Sequence, residues 1–471
     1  MDWKKLLNEA RLRVSNRNKD GRNEYESDFG RIVFSPATRR MHDKTQVFPL
    51  TSDDNIHSRL THSMEVMSVG YSLAVTLCES EVLKSKFDIE KYDLFRKVPM
   101  IIKNICLIHD IGNPPFGHFG ETIVQCYFKE YFSNCIIKER SEDFSEDDKK
   151  TGKDLLVLTS HQIKDFIDYD GNAQGLRVLT KLQILNDAFG LNLTLATLSA
   201  YIKYPNFEKN DDDIIEKNKH GVFASEKDYF QKIFNECGLI GTDGRYIRNP
   251  LCYLMEAADS ICYLTMDIED GYNKKLYDIH YLYNIYKSIP SIKEKIEEIY
   301  VDKENYYKNE ITKVVNFRIH IIAVLSKLAM TNFESNIASI ENGTYNKELI
   351  NDDPTNKLAE TLKKICQDNI FVTREINYLE ITGHSVITGI LDFYRMLLYH
   401  PNKKYKKKAS VLISKSIFNA AYEENGLFGD DAKIDKLSDY YKLRIIVDFV
   451  SGMTDQFALD HYQKISGQKI N

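Results

Sequence analysis

Apolar residues recur at three- and four-residue spacing through most of the chain, as in Leu60, Met64, Met67, Tyr71 and Ala74. This spacing places apolar side chains on one face of an α-helix, whereas a half-buried strand alternates at every second residue. Sustained alternation of that kind is hard to find in this sequence. The pattern therefore predicts an all-α fold.

Three polar stretches interrupt the helical pattern. The segments KERSEDFSEDDKK at 138–150 and NFEKNDDDIIEKNK at 206–219 predict solvated loops. The lysine run NKKYKKK at 402–408 predicts either a basic turn between helices or a patch that binds phosphate or nucleic acid. There is no internal repeat and no Gly/Ser/Pro-rich linker, so a single helical body with peripheral helices is the simplest organisation.

Composition narrows the class of protein. With 43% hydrophobic and 28% charged residues, the chain of 471 residues has ample apolar material for a core. Its net charge of -6 argues against strong, indiscriminate binding to nucleic acid. Eight cysteines without a CxxC pair predict reduced, mostly buried thiols. A charged N-terminus and the lack of an apolar run near ~18 residues predict a cytoplasmic protein without signal peptide or membrane span.

The segment IIKNICLIHDIGNPPFGHFGE at 101–121 is the most informative in the chain. An apolar helix ends in the adjacent His109 and Asp110, and Gly112 followed by Pro114 stops it. Imidazole and carboxylate are both good ligands for a divalent cation. Since isolated His-Asp pairs are common by chance, the surrounding sequence decides their meaning.

Two further helices carry polar residues that such a site would need. His62 lies in SRLTHSMEVMSVGYSLA on the side opposite the apolar residues, although a lone helical histidine is most often structural. Asp259, Tyr263, Asp267 and Asp270 form a polar stripe along the otherwise apolar helix at 251–272. Buried carboxylates are costly unless they meet water, a cation or a hydroxyl-rich ligand. The stripe therefore indicates a binding surface.

The order H…HD…D, within RLTHS, HDIGNPPFGHFGE and MEAADSICY, resembles the HD superfamily and specifically its dGTPase-type triphosphohydrolases. Further segments are similar to that family at 29–50, 170–183, 192–205, 219–230 and 440–459. The resemblance thus runs nearly from end to end. It implies an HD-type helical catalytic core at 25–275, a helical C-terminal portion at 276–471 that completes the pocket and oligomer contacts, and an N-terminal helical arm at 1–24.

The same resemblance implies a metal centre. His62, His109, Asp110 and Asp259 would hold one divalent ion per active site. Mn, Mg, Fe and Ni all suit two imidazoles and two carboxylates, and the sequence does not choose among them. The lack of cysteine ligands argues against a purely structural zinc.

His118 and Glu121 lie three residues apart, so one helical face presents both. Spacing alone favours a structural hydrogen bond between them. The resemblance instead implies that this pair acts as a general acid or base at the α-phosphorus of a deoxynucleoside triphosphate. Water would attack the α-phosphate, giving a deoxynucleoside and tripolyphosphate, with dGTP as the preferred substrate.

A triphosphate needs cationic and hydrogen-bonding groups around it. The candidates in family-like segments are Arg59, Lys203, Tyr204, Lys219 and Asn172. Gln174, close to Asn172, is a further amide donor, and both alternatively cap a helix. Considered alone, each of these residues is more often a surface residue outside any binding site.

The sugar and base would lie along the polar stripe. Asp267 is two helical turns from Asp259, or about 12 Å at 1.5 Å per residue, which suits contact with a 3′-hydroxyl. Tyr263 would stack beneath the sugar where a 2′-hydroxyl otherwise lies. Gln46 and Val47 match family positions near the sugar and base, although a KTQ turn also serves as scaffold.

Two other functions compete with this prediction. One is a different HD phosphohydrolase, either a nucleotide phosphatase or a phosphodiesterase, that uses the same ligands. The other is a non-catalytic regulator that binds nucleotide or single-stranded DNA. The resemblance implies a dNTP substrate, a homo-oligomer, a hexamer by family pattern, and a nucleotide or single-stranded DNA effector. It implies no membrane partner.

Overall fold

The structure is a computed structural model that describes residues 1–14, 20–48, 50, 56–183, 190–207, 210, 211, 213–354 and 357–469. Within these residues the chain forms twenty-two α-helices and one two-stranded sheet. The prediction of an all-α fold is confirmed.

Twelve helices precede residue 276. They are α1 (Glu24–Val33), α2 (Pro36–Arg40), α3 (Arg59–Glu79), α4 (Glu81–Phe87), α5 (Lys91–Ile108), α6 (Gly117–Ser133), α7 (Glu146–Lys150), α8 (Ser160–Ile167), α9 (Gly171–Arg177), α10 (Leu195–Tyr201), α11 (Lys227–Glu236) and α12 (Pro250–Asn273). Short 3-10 helices span Lys5–Leu7, Met41–Asp43, Ser141–Asp143 and Ala224–Glu226, and a π-helical turn spans Val178–Leu182.

Ten more helices follow in the described residues. They are α13 (Ile279–Tyr286), α14 (Lys293–Val301), α15 (Glu310–Ser335), α16 (Ile337–Glu341), α17 (Leu358–Asn369), α18 (Arg374–Tyr399), α19 (Lys403–Leu412), α20 (Lys415–Glu424), α21 (Asp439–Ser451) and α22 (Asp455–Ile465). Two 3-10 helices span Gly429–Asp431 and Ile434–Lys436.

Local capping explains where the helices that carry the candidate site begin. Ser58 and Thr61 form a capping box at the start of α3, so that each satisfies a backbone N–H of the other. Asn249 caps α12 and Pro250 occupies its first turn, where a missing N–H costs no helical hydrogen bond. These caps fix the register of the two helices on which His62 and Asp259 lie.

The apolar residues form two clusters. The first core gathers α3, α5, α10 and α12 together with α15 and α17. The second core packs α6 and α8 against α18, α20, α21 and α22. Segments from both sides of residue 275 therefore meet in each core, and the C-terminal helices enclose elements of the N-terminal half.

The polar stretches differ in part from the predicted loops. Strands β1 (Ile136–Lys138) and β2 (Leu155–Val157) pair in parallel, and the exposed stretch between them contains α7. Ser145 nucleates that short helix through a capping box with Asp148. The second stretch, 206–219, has turns but no helix in its described part, and residues 208, 209 and 212 lie outside the described residues.

The lysine run is not a turn. Residues 403–408 lie within α19, because lysine is a good helix former and Lys406 makes an ion pair with Asp435 at 2.5 Å. The basic side chains therefore decorate a helix that packs beside α18.

One helix corrects the expectation that no segment is apolar enough to span a membrane. By length and composition α15 passes that test. Its buried residues Val314, Phe317, Ile321 and Leu325 are spaced by three and four, so they occupy a single face. That one-sided pattern is typical of a helix packed on a core, and α15 packs along α12.

The N-terminal arm contains little helix. Before α1, its described residues form one helical turn, Lys5–Leu7. Contacts with other segments hold the arm in place. Arg11 forms an ion pair with Asp28 at 2.7 Å and a backbone β-bridge with Thr194.

All eight cysteines are free thiols and six of them are buried, as the sequence predicted.

Candidate active site

Three helices deliver the predicted ligands to one place. α3 carries His62 on its first turn, and α12 carries Asp259 near its middle. α5 ends immediately before His109, which leaves His109 and Asp110 at the C-terminal end of the helix. α3 and α12 pack together and both pack on α5, so the four side chains converge.

The turn after Asp110 requires glycine. A Cβ atom on Gly112 would lie 2.1 Å from the backbone nitrogen of Gly175 and 2.2 Å from the carbonyl oxygen of Gly171. The chain therefore passes directly over α9, which belongs to the family-like segment at 170–183. This close approach brings α9 to the edge of the cluster.

Donor atoms of three of the four predicted ligands, His62, His109 and Asp259, lie close enough together to share a cation. His62 Nε2 is 3.0 Å from Asp259 Oδ1, and His109 Nε2 is 3.4 Å from the same oxygen. One donor atom from each of these three residues lies within 4.8 Å of the others. Asp110 Oδ2 is 3.6 Å from His109 Nε2. His62 is buried against the neighbouring helices, where the sequence had suggested an imidazole pointing away from the packed side.

The donor set fits a divalent cation. His109 Nδ1 lies 2.8 Å from the carbonyl oxygen of Cys106 and donates to it, so Nε2 presents its lone pair. That Nε2 atom is buried and has no hydrogen-bond partner among the described residues. Burial lowers the pKa of His109, but the carboxylates of Asp110 and Asp259 outweigh this and raise the pKa to about 9. The same negative field that favours a proton on this nitrogen also favours a metal cation in place of the proton.

Asp110 also contacts Arg59. Its Oδ2 atom accepts a hydrogen bond from the Arg59 guanidinium, and its Oδ1 atom accepts one from Asn113 Nδ2 at 2.6 Å. Burial raises the pKa of Asp110, but Arg59 and His109 outweigh that effect and hold the pKa below its usual range. Asp110 therefore lies between the histidine cluster and the first of the cationic side chains.

The cluster opens into a pocket of about 480 Å³. Of the residues predicted to form the site, Glu121, His62, Gln174 and Asp270 do not line this pocket, and all the others do. The pocket therefore brings together the predicted metal, acid-base, phosphate and sugar residues.

His118 and Glu121 form the predicted pair on the first turns of α6. His118 Nδ1 is 3.1 Å from Glu121 Oε2, while Glu121 Oε1 accepts from the Gly171 backbone N–H at 2.9 Å. The imidazole is 76% exposed and Glu121 is buried. The adjacent carboxylate raises the pKa of His118. A solvent-accessible imidazole backed by a fixed carboxylate is suited to proton transfer.

The predicted cationic residues line the same pocket, and Lys219 lies near this pair. Lys219 Nζ is 2.9 Å from Asp170 and 3.9 Å from Glu121, and Lys203 Nζ is 3.1 Å from Glu256. The ring of Tyr204 lies between the two ammonium groups, with centroid distances of 5.4 Å to Lys203 and 5.9 Å to Lys219. Together with Arg59 these side chains surround a volume suited to an anion.

The structure separates the two amides of the GNAQG motif. Asn172 lines the pocket, and its side chain donates to Asp170 Oδ1 at 2.8 Å. Gln174 instead donates to Asp448 at 3.0 Å and accepts from Arg444 at 2.7 Å within a buried ionic network. Gln174 is therefore a structural residue and does not contact the pocket.

The predicted sugar-binding residues come from two segments that both line the pocket. Tyr263 and Asp267 follow Asp259 along α12, while Gln46 and Val47 belong to the segment that precedes α3. Burial and the nearby Asp270 carboxylate raise the pKa of Asp267 well above its usual range. This shift favours the protonated carboxyl, which can donate as well as accept a hydrogen bond.

Asp270, the last residue of the polar stripe, does not line the pocket. Its two carboxylate oxygens are each 3.0 Å from His57 Nδ1. Burial lowers the pKa of His57, but Asp270 and Glu65 raise it to about 10. The helical period placed Asp270 on the stripe correctly, but its charge is neutralised by a histidine 213 residues away in the sequence.

The pocket is also lined by residues that the sequence did not single out. Those from the C-terminal portion are Glu348, Lys363, Cys366, Gln367, Phe371, Ile376 and Glu380. Glu380 is half-buried, has no hydrogen bond or ion pair with a described residue, and burial raises its pKa. Ordinary amphipathic helices carry most of these side chains, and no local motif distinguishes them.

Fold and site together define a class: an α-helical phosphohydrolase with a His/Asp centre beside a cationic pocket. Residues 350–464 match the phosphohydrolase-associated domain. A deoxyguanosinetriphosphate triphosphohydrolase-like protein of Listeria innocua is 33% identical over 491 aligned residues, covering 99% of this chain and all of the relative. Deoxyguanosinetriphosphate triphosphohydrolases of Salmonella paratyphi A and Cronobacter sakazakii are each 31% identical, covering 94% of this chain and 93% of the relative.

This chain belongs to the deoxyguanosine triphosphate triphosphohydrolase family. The resemblance that the motifs indicated is thereby confirmed over nearly the full length. Membership in this family indicates that the protein is a hydrolase that acts on nucleotides.

Proposed function

We propose that the protein hydrolyses deoxynucleoside triphosphates, with dGTP preferred, to a deoxynucleoside and tripolyphosphate. The observation that carries the proposal is a single pocket lined by the ligand cluster, the His118 imidazole, three cationic side chains and the polar stripe of α12. The names of the relatives support dGTP as the substrate.

His62, His109, Asp110 and Asp259 would hold the divalent ion. When bound, a divalent ion at such a site polarises the phosphorus centre and makes water more acidic. Within this chain, Cys106 fixes the orientation of His109 through the Nδ1 hydrogen bond. Mn, Mg, Fe and Ni remain the candidate ions.

His118 acts as the proton donor. The Glu121 carboxylate favours the protonated imidazole, which faces the pocket and transfers its proton to the C5′ oxygen. A water oxygen forms the new bond to the α-phosphorus and releases a proton to solvent, while the bond from phosphorus to the C5′ oxygen breaks. The products are therefore the deoxynucleoside and intact tripolyphosphate.

Arg59, Lys203 and Lys219 bind the phosphate chain, with Tyr204 and Asn172 as neutral hydrogen-bond donors. A triphosphate carries about four negative charges, and buried cationic donors offset them strongly. Lys203 and Lys219 each already face a carboxylate, which holds the ammonium groups in place before substrate binds.

The sugar and base occupy the remaining length of the pocket. Asp267 contacts the 3′-hydroxyl, Tyr263 lies beneath the sugar, and Gln46 with Val47 lies near the sugar and base. Glu380 suits a guanine base, because a carboxylate accepts from both the N1–H and the exocyclic amine. The portion after residue 275 thus completes the pocket that residues 25–275 begin.

Turnover of each of the four dNTPs with added Mn(II), followed by phosphorus NMR in ¹⁸O-enriched water, tests this proposal. We expect tripolyphosphate as the first product, with ¹⁸O in its terminal phosphate and none in the nucleoside, and the highest rate with dGTP. Pyrophosphate or orthophosphate as the first product would indicate another HD phosphohydrolase. Tight binding without turnover of any dNTP would indicate a regulator.

The family resemblance extends the proposal to assembly and regulation. The protein would form a homo-oligomer, a hexamer by the family pattern, in the cytoplasm, with a nucleotide or single-stranded DNA effector. Sedimentation analysis measures the oligomer. Turnover of dGTP with and without a single-stranded oligonucleotide or a second dNTP measures regulation, and an unchanged rate in both cases contradicts it.

A further inference from the structure

A buried carboxylate near the end of the described chain connects two walls of the pocket. Asp455, the first residue of α22, is 2% exposed. Its Oδ1 accepts from the Phe116 backbone N–H at 2.9 Å. Its Oδ2 accepts from the Thr45 backbone N–H at 3.0 Å and from the Thr45 hydroxyl at 2.5 Å. The two segments are 339 and 410 residues away from Asp455 in the sequence.

The first of these segments determines where His118 lies. Phe116 and Gly117 have φ angles of 61° and 60°, in the left-handed region, at the start of α6. A non-glycine residue stays in this region only where its surroundings hold it there. Asp455 holds the Phe116 amide, and the Phe116 ring packs so closely on Gly383 that a Cβ there would lie 2.8 Å from the ring. His118 is the next residue of α6.

The second segment lines the pocket itself. Thr45 lines the pocket together with Gln46 and Val47, which immediately follow it. Thr45 pairs with Ser58 in an isolated antiparallel bridge, directly before α3. A shift of Thr45 would therefore carry the pocket-lining Gln46 and Val47 with it.

A neighbouring lysine makes a second connection among the same segments. The ammonium group of Lys44 donates to the carbonyl oxygens of Asn113 and Ser451, the latter at 2.7 Å. Its own carbonyl oxygen accepts from the Arg59 backbone N–H at 2.9 Å. The buried side chains of Lys44 and Asp455 thus connect the stretch 451–455 to both segments.

We propose that Asp455 is a positioning residue for the hydrolysis. It fixes the separation between the His118 imidazole and the wall at Gln46 and Val47, and so aligns the α-phosphorus with the proton donor when the nucleoside is bound. This inference rests on the proposed function. Asp455 itself contacts neither substrate nor ion.

The chain offers a matched control for ordinary stabilisation. Asp28 is fully buried, and its Oδ2 accepts from the Thr194 backbone N–H at 2.9 Å and from the Thr194 hydroxyl at 2.7 Å. This arrangement is similar to that of Asp455 and Thr45, with an additional ion pair to Arg11, but neither Asp28 nor Thr194 lines the pocket. Asp28→Asn therefore removes a similar buried carboxylate without moving a pocket wall.

The test compares Asp455→Asn, Thr45→Val and Asp28→Asn. An asparagine at 455 keeps one accepting oxygen and turns its amine toward the other segment, so the two walls are no longer held together. We expect Asp455→Asn to lower kcat about 10- to 100-fold and to raise KM, because small misplacements of reacting groups are costly. Thr45→Val removes one hydrogen bond to the buried Asp455 carboxylate, and should raise KM by a smaller factor and lower the unfolding temperature slightly.

Asp28→Asn should lower the unfolding temperature but leave kcat and KM per folded site unchanged. Hydrogen exchange supplies a readout independent of activity: the amides of Phe116 and Thr45 should lose protection together in Asp455→Asn alone. If Asp455→Asn does not fold, Thr45→Val still carries the test through its KM.

The inference is overturned if Asp455→Asn lowers only the unfolding temperature, as Asp28→Asn does, with kcat, KM and both amides unaffected. Unchanged KM in Thr45→Val would also contradict it. Absence of dNTP turnover in the parent protein would instead refute the proposed function. In that case exchange at the two amides, with the affinity for a non-hydrolysable dNTP analogue, still decides whether Asp455 sets the pocket walls.

Discussion

Two parts of the pocket, the ligand cluster and the acid-base pair, are built in different ways; we call them the ligand wall and the acid-base wall. The ligand wall, formed by His62, His109, Asp110 and Asp259, lies on three helices of the first core that pack directly on one another. The acid-base wall, formed by His118 and Glu121 on α6, is held against the second core by α18 and α22. One wall is complete within the first 260 residues, and the other depends on helices that begin after residue 373.

Their electrostatics differ as well. In the ligand wall, imidazole nitrogens lie close to carboxylate oxygens, and one of these nitrogens is buried without a hydrogen-bond partner among the described residues. A positive charge among these atoms offsets the cost of burying the carboxylates. In the acid-base wall His118 is exposed and only its partner Glu121 is buried. We therefore expect changes to the ligand wall to affect metal content and turnover together, and changes to the acid-base wall to affect turnover alone.

The largest effect is expected from His109→Ala, which removes a buried ligand. Turnover should be lost and the metal content should fall, because the remaining ligands leave an incomplete site. Metal analysis of the purified variant beside the parent measures the loss. A variant that retains a full complement of ion would contradict the assignment of His109 to the ligand wall.

His118→Ala tests the other wall. We expect turnover to fall about 10²- to 10⁴-fold, the range for loss of a general acid, while the metal content stays at the parent value. The two walls would no longer be functionally distinct if this variant lost the ion to the same extent as His109→Ala.

A smaller effect is expected at the sugar end, where the α12 stripe continues beyond the ligand wall. Tyr263→Ala opens the space beneath the sugar, so discrimination between dGTP and GTP should fall by about 10-fold, comparable to other steric pockets. The ratio of kcat/KM for the two nucleotides measures this. Asp267→Asn serves as the control, since it should weaken binding of dGTP without admitting GTP.

The smallest change is a shift in pH dependence. The Glu121 carboxylate raises the pKa of His118, so the protonated donor persists to higher pH than it otherwise would and is lost as pH rises through the raised value. Glu121→Gln removes the charge, so the alkaline limb of the kcat profile should move to lower pH. An unmoved limb would show that His118 is not the group responsible for it.

The sequence predicted what depends on local spacing. The end of α5 before His109 follows from an apolar helix met by Gly112 and Pro114, and the stripe from Asp259 to Asp267 follows from the helical period. The family resemblance supplied Lys203 and Lys219, which taken singly look like surface residues. Local chemistry and motif therefore located most of the pocket.

What the sequence missed depends on contacts between distant segments. Gln174 and Asp270 looked like site residues, but Asp448 and His57, 274 and 213 residues away, occupy their polar groups. Glu380 gave no signal, because an acidic residue on an amphipathic helix is usually solvated. Contacts between segments far apart in the sequence produce no periodic pattern. Only the folded structure therefore distinguishes residues with such structural partners from residues that line the pocket.

The hydrogen bond from Phe116 to Asp455 also has a consequence for synthesis. Ribosomes add about 5 to 20 residues per second, so α6 emerges on the order of half a minute before the carboxylate 339 residues later that holds its first turn. From residue 259 onward the nascent chain carries every proposed ligand and the acid-base pair, yet the turn at Phe116 still lacks its hydrogen bond to Asp455. The proposed hydrolysis would therefore reach its full rate only after α22 has been translated and has packed.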